Sequence, residues 1–226
     1  IEWFVNQISK NYKNNLPIIL LTKGLAIVED EITTLSDKIK ILLTKEGFNK
    51  INISAIKGPC LAAGLANKMR TGTVIANPDI KEAQNLKKII TTEYYSTEIS
   101  NDLNGVELSG AIKNIYSMLI GAAEGLSNPK APQEIQSKYY LNTSASLIHR
   151  SISEMVEFVS HYGGNADTVN GLAGLGDLYV SAIGGRNSLM GKYLGQGYLY
   201  KDVKEKFMKN VTVEGAQLAL EIGSKI

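Results

Sequence analysis

Lys113 sits in the middle of GVELSGAIKNIYSMLIGAAEGL (105–126), an apolar helical stretch in which it is the only basic residue. At helical spacing it shares a line with Val106, Gly110, Ser117 and Gly121, while Leu108, Ile112, Ile115, Leu119 and Ala122 form the stripe expected to face the core. A lysine in partly apolar surroundings binds its proton less tightly, which suits acid/base chemistry. A glycine inside a helix costs ~1 kcal/mol against alanine, so two on one line call for a close approach by a ligand or by another backbone. On this stretch alone the second choice stands equally: helix packing, with Lys113 snorkelling to water. Asn114, next in the chain, adds an uncharged donor.

Other stretches carry similar chemistry. Lys23 in ILLTKGL follows a buried strand, at the edge where open α/β sheets bind ligands, though on position alone it is equally a solvated turn lysine. KGPC (57–60) turns out of the next strand into a helix whose first N–H groups would point to the same edge, a favourable place for phosphate, although on this stretch alone a plain strand-to-helix turn is the better reading. GLAGLGDLYVSAIGGRN (171–187) is no dinucleotide loop: its G-x-x-G-x-G spacing is wrong and no strand precedes it. Instead Asp177 opens a helix with Ser181 one turn on, and Gly184-Gly185 ends it, presenting Arg186 and Asn187. Arginine suits bidentate phosphate binding; a surface Arg after a cap is the alternative.

These residues need elements to hold them. IEWFVNQISKNY opens in an amphipathic pattern with Ile1, Phe4, Val5 and Ile8 on one face. LPIILLT (16–22), INISAI (51–56) and GTVIAN (72–77) are strand-like, and EYYSTEIS (93–100) is β-rich. Between them, residues 29–46 carry helical spacing through Ile32, Leu35, Ile39 and Leu42/Leu43; 58–69 is a short helix and 79–92 another. That alternation predicts a parallel sheet with crossover helices. From Asn104 onward the pattern is helical: 142–164, capped by Thr143 or Ser144, buried through Ile148, Ile152, Met155 and Val159, and ended by Gly163-Gly164; then Asp177 to about Ile183, Ser188 to about Leu194, and 199–208. The expected organisation is therefore α/β plus all-α, with a boundary near 101–104.

Composition sets limits. The 226 residues are 44% hydrophobic and 20% charged, enough for a buried core. A net charge of +2 with scattered lysines argues against a nucleic-acid partner. One cysteine, Cys60, allows no internal disulfide and fits a reducing cytoplasm. His149 and His161, twelve apart, are not spaced as a metal pair, so no metal is expected. No apolar run approaches the ~20 residues of a membrane span, so no membrane insertion is expected. Both ends stop inside helical patterns, which reads as a piece of a longer protein.

In order and approximate spacing, TKGL, GP, GVELSGAIKN, GLAGLGDL followed by GRN, and VEG resemble the motifs of NAD(P)-dependent glycerol-3-phosphate dehydrogenases, and NTSASLIHRSISEM resembles that family's N-x-x-A-x-L-I-x-R-x-x-x-E-M helix. The resemblance covers nearly the whole chain. It implies a partial Rossmann-type NAD-binding domain (1–103), a helical substrate domain (104–226), and reversible hydride transfer between NAD or NADP and dihydroxyacetone phosphate, giving sn-glycerol 3-phosphate for phospholipid synthesis. It makes Lys113 the general acid/base and places Lys23 against substrate and cofactor. Gly58, Cys60, Asn114, Asp177, Ser181, Gly185, Arg186 and Asn187 fall to the substrate, with the Arg186-Asn187 pair on its phosphate. Ala62, Arg186, Thr212 and Glu214 fall to the cofactor. Gly110 and Ser117 then read as clearance for substrate and nicotinamide. The family is often dimeric, which suggests a homodimer and no macromolecular partner besides.

The sequence departs from the family at Gly64, where an acidic residue is usual, and at Cys60, where Ser or Thr is common. The family's G-x-G-x-x-[GA] loop is not in this chain, so the 226 residues alone are expected to bind NAD(H) poorly and turn over little. The rival readings are a hydroxyacid or sugar-acid dehydrogenase of the same architecture, against which the Arg186-Asn187 pair argues, and a degenerate, non-catalytic homologue, against which Lys23, Lys113, Asp177 and Arg186 argue.

Overall fold

The computed structural model describes residues 1–12, 16–127 and 140–225. Helix α1 (Glu2–Ser9) turns Val5 inward, with Ile1, Phe4 and Ile8 against the same core. Strand β1 (Pro17–Leu20) follows, then β2 (Leu25–Val28), β3 (Glu31–Thr34) and helix α2 (Leu35–Lys45). The helical spacing over 29–46 is thus half right. Glu29 and Asp30, with φ of 52° and 72°, form a tight turn that pairs Val28 with Glu31 in an antiparallel hairpin. Two left-handed residues are what a type I′ turn demands, and neither residue is the Asn or Gly that signals one. Thr34 then caps α2, its hydroxyl accepting from the Asp37 amide at 3.2 Å.

Strand β4 (Asn52–Lys57), helix α3 (Ala62–Ala66), strand β5 (Thr71–Ala76), helix α4 (Ile80–Ile90) and strand β6 (Tyr95–Ser100) complete the sheet, in the order β1-β4-β5-β6. The β1–β4 and β5–β6 pairs are parallel, as a Rossmann-type sheet requires, but β4 and β5 run antiparallel. Of the helix expected over 58–69 only α3 forms, and its five residues rise about 7–8 Å, so the chain comes back beside β4 in the opposite direction. One sheet face packs Ile18, Leu20, Ile53, Ala55 and Val74 against α1 and α2, and the other lays Ile56 and Ile75 under Ala83 and Leu86 of α4.

Helix α5 (Leu103–Leu126) begins where the sheet ends. Its Asp102 cap accepts from the Gly105 amide at 2.9 Å and also from the Asn165 amide and the Thr168 hydroxyl, pinning helix α7 (Ala166–Val169) beside it. Helix α6 (Leu141–His161) starts without a side-chain cap, so Thr143 and Ser144 fall within its first turn; Met155 and Val159 are its innermost residues, and Gly163, at φ 79°, ends it. A π-helical turn (Leu172–Gly176) leads into α8 (Asp177–Gly184), α9 (Arg186–Gly195), α10 (Tyr200–Lys206) and α11 (Glu214–Ile222). Among the described residues none of these helices is long and apolar enough to cross a membrane.

Helix α5 is buried nearly all round. Leu108 and Ile112 do face the core, but Leu119 of the expected stripe is 49% exposed, and the line through Lys113 is the more buried one. The helix glycines there serve packing. A Cβ on Gly121 would strike the Ser188 backbone, and one on Gly191 of α9 would strike the Met118 carbonyl. Gly191→Ala therefore forces the α5–α9 contact apart. We expect it to cost about 3 kcal/mol, at the upper end of core overpacking, seen as a fall in the thermal midpoint, whereas Gly184→Ala, in open space, changes it little.

Candidate active site

Strand β1 ends at Leu20 and the chain turns through Thr22 and Lys23 to Gly24. The π-helical turn packs Leu172 over Gly72 of β5 and sets Gly176 on Pro59, delivering Asp177 to the same edge. Helix α5 brings Lys113. These three meet: Lys113 Nζ donates to Asp177 Oδ1 at 2.8 Å, Lys23 pairs with Asp177 Oδ2, and Lys113 also contacts the Ser181 hydroxyl. One carboxylate thus bridges two ammonium groups. Lys113 and Asp177 are each 2% exposed, so Lys113 does not snorkel; Lys23 keeps partial solvent access. Burial pulls the Lys113 ammonium down to about 8, with Asp177 opposing the shift and Lys23 adding to it.

A second group lies along α5 and α9. Asn187 donates to Asn114 Oδ1 at 3.0 Å and accepts from the Gly215 amide at 2.8 Å, linking α5, α9 and the start of α11. Ser117, read as clearance, is fully buried and donates to the Asn114 carbonyl at 3.0 Å. Gly110 does not face open space either: a Cβ there would lie 3.0 Å from Cδ of Lys57. Arg186 forms an ion pair with Glu214 at the mouth of this group and is 58% exposed on its side chain. Gly185 holds the α8–α9 join, its N–H donating to the Ser181 carbonyl at 3.0 Å.

Gly58 takes φ 137°, and a Cβ there would lie 3.0 Å from the Thr73 Cα, so a side chain would be both strained and crowded here. Its carbonyl accepts from the Cys60 amide at 2.9 Å, and burial raises the Cys60 thiol. Ala62 is exposed at the start of α3. Thr212 lines a polar recess of about 370 Å³ with Lys204, Lys209 and Gln217. Among the described residues no group of three His, Cys, Asp or Glu could hold a metal ion.

Two buried charges escaped the sequence reading. Lys57, at the end of β4, is 2% exposed and donates to the carbonyls of Leu20 and Thr22 at 3.2 and 2.8 Å. Burial draws it to about 8, against the pull of Glu107. Glu107, on α5, accepts from the Ser36 amide at 3.3 Å, and burial raises its carboxyl above the usual range. The only available signal was the break that Lys57 makes at the end of the apolar run INISAI.

A Rossmann-type sheet followed by helices, the fold on which this lysine–aspartate–lysine cluster sits, is shared with solved glycerol-3-phosphate dehydrogenase structures. The structure from Coxiella burnetii superposes with a TM-score of 0.81 at 26% identity, over 99% of this chain and 63% of that one. That from Plasmodium falciparum shares the fold, with a TM-score of 0.83 at 21% identity, over 100% of this chain and 60% of that one. The chain belongs to the NAD-dependent glycerol-3-phosphate dehydrogenase family: residues 102–225 match its C-terminus and residues 1–83 its N-terminus. It is similar to the NADP(+)-dependent glycerol-3-phosphate dehydrogenase of Archaeoglobus fulgidus, at 32% identity over 95% of this chain and 63% of the relative. It is also similar to the glycerol-3-phosphate dehydrogenase [NAD(P)+] of Mesoplasma florum, at 33% identity over 100% of this chain and 64% of the relative. The chain therefore spans just under two thirds of the length of these curated relatives.

Proposed function

We propose that the full-length protein interconverts dihydroxyacetone phosphate and sn-glycerol 3-phosphate, with residues 1–103 forming part of the NAD(P)-binding domain and residues 104–226 the substrate domain. The observation that carries this is Lys113: a buried ammonium, drawn to about 8, oriented by Asp177 and Ser181 at the carboxyl edge of a Rossmann-type sheet. An amine tuned to that range can give and take a proton near neutral pH.

The residues present fit a phosphate-bearing dinucleotide. Arg186 has five N–H donors, and its ion pair with Glu214 leaves part of a largely exposed guanidinium free for phosphate oxygens. The nicotinamide, when bound, supplies or accepts the hydride. Arg186, Glu214, Ala62 and Thr212 would contact the cofactor. Arg186 and Asn187, with Gly185 beside them, would hold the substrate phosphate. Lys113 protonates the carbonyl oxygen at C2 in reduction and removes that proton in oxidation. Asp177 holds the Lys113 ammonium in place. Lys23, Asn114 and Ser181 are polar contacts around the same oxygen, and Gly58 and Cys60 form the adjoining wall. We place the protein in the cytoplasm, working as a homodimer and supplying glycerol 3-phosphate for phospholipid synthesis.

Steady-state turnover of dihydroxyacetone phosphate, set beside unphosphorylated hydroxyacids, tests this reading. We expect reduction of the phosphate ester and little of the others; a preference for a hydroxyacid would overturn it. The pH dependence follows from Lys113. Reduction needs the ammonium, so its kcat/KM falls as pH rises through about 8; oxidation needs the free amine, so its rate rises over the same range. Profiles that stay flat between about pH 7 and 9 would remove Lys113 from the proton transfer.

A further inference from the structure

We propose that Lys57 is a positioning residue that fixes the Thr22–Lys23 turn so that Lys23 reaches Asp177, an inference that rests on the catalytic reading above. The placement is specific. In the parallel β1–β4 pair Leu20 lies beside Ala55, so Lys57 extends along β4 to the level where β1 runs out into its turn. There its Nζ donates to the Leu20 carbonyl at 3.2 Å and to the Thr22 carbonyl at 2.8 Å. Thr22 lies past the end of β1, outside the β1–β4 ladder, and there the lysine head supplies its carbonyl with a donor. Thr22 directly precedes Lys23, whose ammonium pairs with Asp177.

The surroundings are arranged around this side chain. Helix α5 passes directly over the Lys57 stem, and Gly110 supplies the gap: a Cβ there would come within 3.0 Å of Lys57 Cδ and 3.2 Å of its Cγ. Glu107, one turn before Gly110, offsets the Lys57 charge through space, and its Oε1 has no hydrogen-bond partner among the described residues. A buried charge of this kind seldom adds net stability over an apolar side chain of similar size, so its effect lies in what it orders. Helix α5 thereby carries both ends of one circuit. Glu107 balances Lys57, Lys57 holds the Lys23 turn, Lys23 pairs with Asp177, and Asp177 returns to Lys113 six residues further along the same helix.

The test uses the full-length protein with Lys57→Met, and Lys57→Gln in its place should the first variant fail to fold. Two readouts separate positioning from a merely structural role. The first is amide hydrogen exchange: we expect residues 21–24 to exchange about tenfold faster while β6 is unchanged, as local rather than global opening. The second is a cycle with Lys23→Ala. Alone, Lys57→Met raises KM for dihydroxyacetone phosphate about tenfold with a smaller change in kcat, and in the Lys23→Ala background it changes KM less than about twofold. Unchanged exchange at 21–24, or effects that multiply in the double variant, would overturn the proposal. Should the parent not turn over dihydroxyacetone phosphate, the catalytic reading fails, and the exchange result still decides whether Lys57 holds the turn.

Discussion

Lys113→Met in the full-length protein lowers kcat for dihydroxyacetone phosphate reduction by about 10³-fold, within the range that general acid catalysis contributes. Methionine fills the stem's volume and keeps helix propensity, so the change removes the proton donor and little else. Asp177 retains Lys23 as its counter-ion, so no buried carboxylate is left unpaired. Because a desolvated ammonium is replaced by an apolar group, the thermal midpoint holds or rises slightly. The loss belongs to the transition state, so kcat and kcat/KM fall together while KM stays near the parent value. Steady-state kinetics with a melting curve on the same sample measure all of this. A variant that reduces substrate at the parent rate would remove the mechanism; one that unfolds would show that the buried ammonium also holds the helices together.

How far the sequence exposes this site depends on the range of each contact. Asp177 and Ser181 could be placed on one helix face from their spacing alone. That Lys23 and Lys113 both reach Asp177 could not, because those contacts close over 154 and 64 residues. Only the family resemblance brought them together on paper. The glycines of α5 show the opposite case. Their positions were legible, but whether they admit a ligand or a neighbouring chain is decided by partners at Lys57 and Ser188 that helical periodicity does not reveal. Lys57 itself was passed over because a lysine ending an apolar strand usually marks the start of a loop. The β2–β3 hairpin was missed for a related reason. Ile32, Leu35, Ile39 and Leu43 are all buried, so the helical spacing was real, but it ran across a strand–helix junction whose Glu29-Asp30 turn carries no glycine or asparagine. The antiparallel β4–β5 join was not legible, because residues 58–70 are long enough for a parallel crossover and read as one helix over 58–69, of which only Ala62–Ala66 forms.

Asp177→Asn tests the other side of the cluster, and its effect depends on pH in a way that a simple packing defect does not. The amide keeps the shape and can still accept a hydrogen bond, but it removes the charge that draws a proton onto Lys113. Burial and the neighbouring Lys23 then act unopposed, and the Lys113 ammonium falls further below about 8. Reduction at neutral pH loses its donor twice over, through deprotonation and through lost orientation. We expect kcat to drop by about 10²–10³-fold and the falling limb of the pH profile to move to lower pH. Stability follows the same proton. In the unfolded chain Lys113 keeps an ordinary lysine value, above that in the folded variant, so the cost of its buried charge is greatest below the folded value and shrinks as pH rises through it. Losing the partner of a buried pair costs about 3 kcal/mol when the remaining charge cannot escape, and less where the amine can release its proton. Melting curves of parent and variant from pH 6 to 9 should therefore converge toward the alkaline end. A gap that stays constant across that range would mean that Asp177 contributes shape alone, and that the low affinity of Lys113 for its proton is set by burial without regard to the carboxylate beside it.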